Sequence, residues 1–107
     1  MAEKNNTKLL SALGLCKKAG KLTVGFDVVG EAIRRGNAKL LVLTGDISPK
    51  SAGRITAMAD EHKVRHFTID AAMDDIEKLL GKRAGILAVT DQGLAGVVAR
   101  QVEEESV

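Results

Sequence analysis

The chain has 107 residues, of which 45% are hydrophobic and 28% are charged, and its formal net charge is +2. This length and composition predict one folded domain over residues 1–107 with a single hydrophobic core, and they argue against disorder. Because the sequence contains no signal peptide and no apolar run of about 18 residues, we expect a cytoplasmic protein with no membrane partner.

Basic residues are concentrated in the first third of the chain. Residues 1–40 hold eight Lys or Arg and three acids, which gives +5, whereas residues 41–107 hold eight against eleven, which gives −3. The basic third is either an anion-binding surface or a solvated helix face. Cys16 is the only cysteine, which excludes an internal disulfide, and two phenylalanines are too few for a surface that stacks successive bases.

The first half of the chain predicts two helices and two strands. Leucines at helical spacing indicate a helix over residues 6–19, and a short strand follows at residues 22–24. Asp27 is a suitable N-cap for a second helix, which Gly36 ends. The apolar run at residues 39–44 is typical of a strand that is buried on both faces.

The second half continues this alternation. Ser48 and Pro49 predict the cap and first position of a helix that ends near His62. A strand at residues 64–69, a helix from an Asp70 cap to residue 80, and a strand at residues 86–90 come next. A last helix follows, and the acidic tail at residues 103–107 is expected to fray.

Strands that alternate with helices predict an α/β fold. Right-handed crossovers between the strands would build a mixed, mostly parallel sheet with helices packed on it. The sequence shows no internal repeat and no linker, so it predicts a single domain.

The residue types that catalysis requires are not found at any recognisable spacing. Neither a P-loop nor a dinucleotide-binding glycine motif is present. His62 and His66 lack the accompanying glutamate of a zinc-protease motif, Cys16 lies among apolar residues, and the adjacent Asp74 and Asp75 point in different directions on a helix. We therefore expect neither an enzyme nor a cofactor or metal site.

Three glycine-containing turns precede helices, at residues 25–27, 45–47 and 91–93. Turns at the carboxyl ends of strands gather at one edge of a parallel sheet, where free N–H groups and helix dipoles favour anions. The alternative is that the glycines only permit tight turns.

The segment from residue 20 to residue 49, GKLTVGFDVVGEAIRRGNAKLLVLTGDISP, carries a family resemblance, as does AVTDQGLA at residues 88–95. Together they resemble the kink-turn RNA-binding ribosomal protein family, the L7Ae/L30e/S12e/Gadd45 group, in its small bacterial branch. The resemblance covers about 90 residues. It implies a three-layer α/β/α sandwich of about four strands and five helices, no catalysis, and binding of a sharply bent RNA at the N-terminal end of the second helix.

The resemblance also implies the RNA-contacting positions. The glycine turn lets the RNA approach the backbone, Asp27 accepts hydrogen bonds from guanine, and basic residues hold phosphates. The implied RNA-binding residues are Lys21, Gly25, Phe26, Asp27, Val28, Glu31, Arg34, Arg35, Lys39, Asp46, Gly81 and Lys82.

Three positions depart from the family pattern. Val28 lies where many members carry a glutamate, and Glu31 lies where they carry a phosphate-binding lysine. A carboxylate at Glu31 would repel a phosphate unless it pairs with Arg34 or Arg35. Ile76-Glu77 replaces a leucine-glycine pair in the second RNA-facing loop, where Gly81 is a substitute for the close backbone approach.

The sequence thus predicts a monomeric RNA-binding protein that is ribosomal-protein-like or ribosome-associated, with rRNA or another kink-turn-like RNA as its partner. The alternative is a protein-interaction or assembly module on the same fold, with weakened RNA binding. No set of catalytic residues in the sequence supports a hydrolase or a transferase.

Overall fold

Five helices and four strands alternate along residues 7–105, which are the residues that the computed structural model describes. The elements are α1 (Thr7–Lys18), β1 (Leu22–Val24), α2 (Phe26–Arg34), β2 (Leu40–Thr44), α3 (Pro49–Glu61), β3 (His66–Ile69), α4 (Met73–Leu80), β4 (Ile86–Val89) and α5 (Gln92–Glu105). Every helix and strand expected from the sequence is present, including the three-residue β1.

The strands form one open sheet in the order β1-β4-β2-β3. β2 pairs in parallel with β3, whereas β4 pairs antiparallel with both β1 and β2. The mixed α/β sheet is confirmed, but the expectation that it is mostly parallel is wrong, because β4 runs opposite to the other three strands and lies between two of them.

The reversal of β4 follows from the loop after α4. α4 itself is about 12 Å long, but the loop after it turns back along the helix, since Arg83 forms an ion pair with Asp74 in the first turn of α4. The chain therefore re-enters the sheet at the same end from which β3 left it, and β4 must run in the opposite direction.

Helices cover both faces of the sheet, which confirms the three-layer sandwich. The side chains of β2 alternate between the faces: Leu40 and Val42 pack with α1, α4 and α5, while Leu41 and Leu43 pack with α2 and α3. All four are at most 2% exposed, and burial of each stabilises the fold by about 2 kcal/mol.

The helix caps test the predicted starts of the helices. Ser48 caps α3 through its hydroxyl oxygen, which accepts from the Ser51 N–H at 3.1 Å, and Pro49 occupies the first turn. The predicted Asp27 cap is wrong, because α2 begins directly after β1 and its N-cap is Gly25. The predicted Asp70 cap is also wrong: Ala72 precedes α4, and the Ala72 N–H donates to the Asp75 carboxylate at 2.9 Å.

The last helix reaches into the predicted acidic tail. α5 continues through Glu105, and the Glu103 carboxylate accepts a hydrogen bond from Arg65 at 3.0 Å. Residues 106–107 of the predicted tail, like the start of the first predicted helix at residue 6, lie outside the described residues.

Candidate nucleic-acid interface

The carboxyl ends of β1, β2 and β3 meet the start of β4 at one end of the sheet. The Gly25 N–H donates to the Ile86 carbonyl at 2.8 Å, and the Thr44 N–H donates to the Gly85 carbonyl at 3.0 Å. The turns after β1 and β2 therefore flank the first residues of β4, two strand spacings or about 10 Å apart. We call this region, with Gly25, residues 44–46 and Gly85, the Gly25 end.

Gly25 has a backbone conformation that side chains strongly disfavour. Its φ is 105° and its ψ is 151°, and a Cβ atom built there would have no heavy atom within 4 Å. The conformation and not the packing therefore requires glycine. Because the Val29 N–H is the donor to the Gly25 carbonyl, the N–H groups of the three preceding residues come before the first helical hydrogen bond of α2. An open backbone thus lies beside the positive end of the α2 dipole.

The side chains in the first turn of α2 differ in their exposure to solvent. Asp27 and Val28 are exposed, Val28 by 53%, and Asp27 forms no ion pair with any described residue. Phe26 instead packs partly into the core between α2 and α3, under the guanidinium of Arg54, which lies 4.7 Å from the ring centroid. Arg54 was not predicted, because no spacing in the sequence connects it to Phe26, 28 positions earlier.

Asp46 connects the turn after β2 to the start of α4. Its two carboxylate oxygens accept from the Met73 N–H at 3.0 and 3.2 Å. The pKa of Asp46 is lowered, chiefly by the Thr44 hydroxyl and further by the Met73 N–H, although desolvation opposes them. The Thr44 hydroxyl is buried and forms no hydrogen bond of normal geometry with a described residue. Its proximity to the Asp46 carboxylate therefore accounts for the lowering of the Asp46 pKa. Asp46 therefore anchors the start of α4.

Gly85, the residue before β4, lies against side chains of the turn after β2. A Cβ atom there would overlap the side chain of Ile47 and lie 2.7 Å from the Thr44 hydroxyl oxygen. Only glycine lets β4 start this near to the turn after β2. No local pattern in the sequence singles out Gly85, because the requirement for glycine arises only from tertiary contact.

The predicted loop residues Gly81 and Lys82 lie between α4 and β4. Gly81 ends α4 with a φ of 78°, and the preceding carbonyl, that of Leu80, accepts from Lys17 Nζ at 2.8 Å. Lys82 is exposed. The next residue, Arg83, forms an ion pair with Asp74 and lies 3.8 Å from Glu77.

Four predicted basic residues lie at the opposite end of the sheet. The Lys21 carbonyl accepts from the Thr90 N–H at 2.9 Å, and the Lys39 N–H donates to the Val89 carbonyl at 2.8 Å. The nine residues of α2 span about 13 Å and carry Arg34 and Arg35 to the same end. We call this region, with Lys21, Arg34, Arg35, Lys39 and residues 89–91, the Lys39 end. The structure thus divides the predicted site into two groups.

Glu31 pairs with both arginines. Its carboxylate accepts from Arg35 Nε at 2.6 Å and from Arg34 at 3.1 Å. These hydrogen bonds, first from Arg35 and then from Arg34, hold the pKa of Glu31 below its usual value. The question that the sequence left open is therefore answered: Glu31 neutralises one of the two charges of the arginine pair.

The expectation that three turns share one end of the sheet is wrong for residues 91–93. Because β4 is reversed, this turn lies at the Lys39 end, where the Asp91 carboxylate caps α5 by accepting from the Leu94 N–H at 2.9 Å.

A comparison with protein families gives a match over residues 7–99 to the Ribosomal protein L7Ae/L30e/S12e/Gadd45 family. The chain belongs to this family. It is 37% identical over 84 residues to the RNA-binding protein YlxQ of Bacillus subtilis, covering 78% of this chain and 83% of that protein. It is 31% identical over 101 residues to the large ribosomal subunit protein eL30B of Schizosaccharomyces pombe, covering 91% and 85% respectively. The bacterial relative supports the predicted small bacterial branch of the L7Ae/L30e/S12e/Gadd45 family.

Solved structures have the same fold. A Bacillus halodurans protein of unknown function superposes with a TM-score of 0.83 at 22% identity, over 90% of this chain and 97% of that one. The Giardia lamblia 15.5kD RNA binding protein superposes with a TM-score of 0.78 at 15% identity, over 99% and 91% respectively. Both solved structures therefore share the fold of this chain.

The remaining candidate groups have local partners. Cys16 is buried, and burial raises the pKa of its thiol. His66 Nε2 lies 2.9 Å from the Asp60 carboxylate, and His62 Nδ1 donates to the Met58 carbonyl at 3.0 Å.

Between residues 7 and 105 no three His, Cys, Asp or Glu side chains are grouped as metal ligands would be. None of the helices in that part of the chain is long and apolar enough to cross a membrane.

Proposed function

We propose that this chain is a non-enzymatic, cytoplasmic RNA-binding protein that recognises a sharply bent, kink-turn-like RNA at the Gly25 end, as a ribosomal-protein-like or ribosome-associated factor in translation. The observation that carries the proposal is the open glycine turn beside the first-turn N–H groups of α2, which no N-cap side chain covers. The YlxQ relative is named as an RNA-binding protein and the eL30B relative as a large ribosomal subunit protein, and these names support an RNA partner.

In this proposal the backbone and Asp27 read the RNA. A bent RNA can approach Gly25 closely because no side chain covers it, and the first-turn N–H groups donate to phosphate or base oxygens. The Asp27 carboxylate, which has no ion pair with a described residue, accepts hydrogen bonds from the N–H donors on the Watson–Crick edge of a guanine. Val28 contributes an apolar contact, and the Arg54 guanidinium above Phe26 offers a flat cation for an unstacked base or a phosphate.

The other predicted residues support this contact in two ways. Asp46 holds the start of α4 in place, so we propose a positioning role for it and not a direct RNA contact. Gly81 and Lys82 flank the bent RNA from the loop before β4, and Lys21, Arg34, Arg35 and Lys39 attract phosphates from the Lys39 end. Each phosphate contact adds about one unit to the slope of log affinity against log salt.

Binding of a kink-turn RNA and of a straight duplex of equal length, measured across a salt series, tests the proposal. We expect the wild type to prefer the kink-turn RNA and Asp27→Ala to lose that preference by about tenfold, since a base contact of this kind is worth about 1–3 kcal/mol. Glu104→Ala is the matched control, because it removes an exposed carboxylate from α5. Equal, weak binding of both RNAs by the wild type contradicts the proposal.

A second candidate function is a protein-interaction module. The exposed large apolar side chains favour it, since Leu15 is 52% exposed, Val28 53% and Val97 40%. A protein partner held by such contacts would bind with a shallow salt dependence, whereas RNA binding is strongly salt-dependent. The same salt series therefore separates the two functions.

A further inference from the structure

A cleft of about 500 Å³ opens at the Lys39 end, where α2 and α3 both finish. Its charged lining consists of Arg34, Arg35, Lys39, Lys63 and Arg65. No acidic side chain of the described residues is part of this lining. Lys63 and Arg65 lie outside the basic first third of the chain, so the cleft joins cations that are far apart in the sequence.

The positive charge of the cleft is only partly neutralised. Glu31 binds the two arginines of α2, and Glu103 binds Arg65 at 3.0 Å. Five cations and these two carboxylates leave an excess of three positive charges. Lys39 Nζ donates to the Gly36 carbonyl at 3.1 Å, and Lys63 has no ion pair with any described residue. These two lysines can therefore take an anionic ligand without breaking an ion pair.

The backbone at Lys63 is unusual for a lysine. Its φ is 59°, and it is the only non-glycine residue with a positive φ between residues 7 and 105. It closes α3 with two hydrogen bonds, from the Lys63 N–H to the Asp60 carbonyl at 3.1 Å and from the Val64 N–H to the Ala59 carbonyl at 2.8 Å. This is the Schellman arrangement, in which the left-handed position is usually a glycine.

The end of α2 has the same arrangement with glycine at the left-handed position. The Gly36 N–H donates to the Ile33 carbonyl at 3.1 Å and the Asn37 N–H to the Ala32 carbonyl at 2.8 Å, with Gly36 at a φ of 77°. α1 and α4 also finish at a left-handed glycine, Gly20 and Gly81. Lysine at this position of α3 is conformationally unfavourable, and what it adds over glycine is a charged side chain in the cleft.

We propose that this cleft is a second phosphate-binding site, which holds the sugar-phosphate backbone of the helical arm beside the bend in the RNA. This inference rests on the proposed RNA-binding function. The five residues of β2 separate the two ends of the sheet by about 17 Å, so one RNA with a helical arm reaches both. The contact is to phosphates and therefore does not depend on the RNA sequence.

Binding of the same kink-turn RNA and straight duplex to paired variants tests the second site. We expect Lys39→Gln with Lys63→Gln to weaken both RNAs by about tenfold near physiological salt, to reduce the salt slope by about two, and to leave the preference for the bent RNA unchanged. Asp27→Ala should do the opposite, abolishing the preference with an unchanged slope. Lys8→Gln on α1 is the control for loss of one exposed lysine outside the cleft.

Lys63→Gly separates binding from structure. We expect it to raise Tm by roughly 4 °C, because glycine relieves the left-handed backbone, while it weakens RNA binding as much as Lys63→Gln does. Unchanged RNA binding in both Lys63 variants would overturn the second site even if the Asp27 result supports the first. If only the preference for bent RNA is missing, but the straight duplex still depends on Lys39 and Lys63, the second site stands without the first.

Discussion

The two ends of the sheet differ in what they offer to a ligand. At the Gly25 end the backbone is open and the exposed charges are of both signs: Asp27 follows Gly25 by two positions, and Arg83 pairs with Asp74 in the segment that leads to Gly85. At the Lys39 end the backbone is closed by helix caps, and cations predominate around a cleft. In the proposed function, shape and base edges are read at the Gly25 end and phosphates are bound at the Lys39 end, in line with this difference.

The largest expected effect comes from adding a side chain at Gly85, where side chains of neighbouring elements lie close to the backbone. Gly85→Ala should lower the free energy of unfolding by about 3 kcal/mol, because the new methyl group overlaps Ile47 and crowds Thr44. Denaturant unfolding measures this. Gly53→Ala is the control: a Cβ atom there meets nothing within 4 Å, so in the helix α3 it should stabilise by about 0.5–1 kcal/mol. A Gly85→Ala protein as stable as the wild type would show that the Gly25 end is not rigidly held.

Replacing a positive-φ glycine by alanine at each end of the sheet compares the two ends in stability and in RNA binding. Gly25→Ala should cost about 1–3 kcal/mol of stability, since φ of 105° suits only glycine, and should weaken kink-turn RNA binding at least tenfold. Gly20→Ala strains a left-handed turn, at φ of 73°, beside Lys21 at the Lys39 end. It should destabilise the fold without removing the preference for bent RNA. If both variants lost that preference equally, strain and not the open backbone would explain the effect.

The smallest effect concerns the charge balance at the Lys39 end. Glu31→Gln frees Arg34 and Arg35 and should strengthen binding of both RNAs about two- to fivefold at low salt, with no gain at high salt. An equal or larger gain at high salt would exclude this electrostatic explanation.

The pH dependence of the same variant has a definite sign. Because the folded state lowers the pKa of Glu31 from 4.5, the ion pairs stabilise the fold above pH 4.5 and lose that effect as the pH falls through the lowered value. The difference in Tm between wild type and Glu31→Gln should therefore be small and should close on acidification. A difference that grows below pH 4 would contradict this.

Local patterns in the sequence were sufficient for the elements of the fold. Leucine spacing in α1, the apolar runs of β2 and β4, and the Ser48-Pro49 start of α3 all predict what the structure contains. The direction of β4 could not be predicted from these patterns, because it depends on the loop after α4, which turns back along the helix. This one reversal also moved the turn at residues 91–93 to the opposite end of the sheet from Gly25.

The candidate site was predictable only in part for the same reason. The Gly25 turn is local, so its residues stay together, whereas Lys21, Arg34, Arg35 and Lys39 are close to it in sequence but lie at the far end of β1 and α2. Arg54, Lys63 and Gly85 have no local signal. Their roles depend on a ring, a helix end and a turn that belong to other elements.

The central place of β4 also sets the order in which a newly synthesised chain can fold. β1 pairs within the sheet only with β4, the acceptor for the Gly25 N–H is Ile86, and α1 packs against α5. During synthesis from the N-terminus, β1 must therefore wait until about residue 89 has emerged before it can pair within the sheet. A truncated chain that ends before β4 would carry the glycine turn and the early lysines without the partners that shape either end.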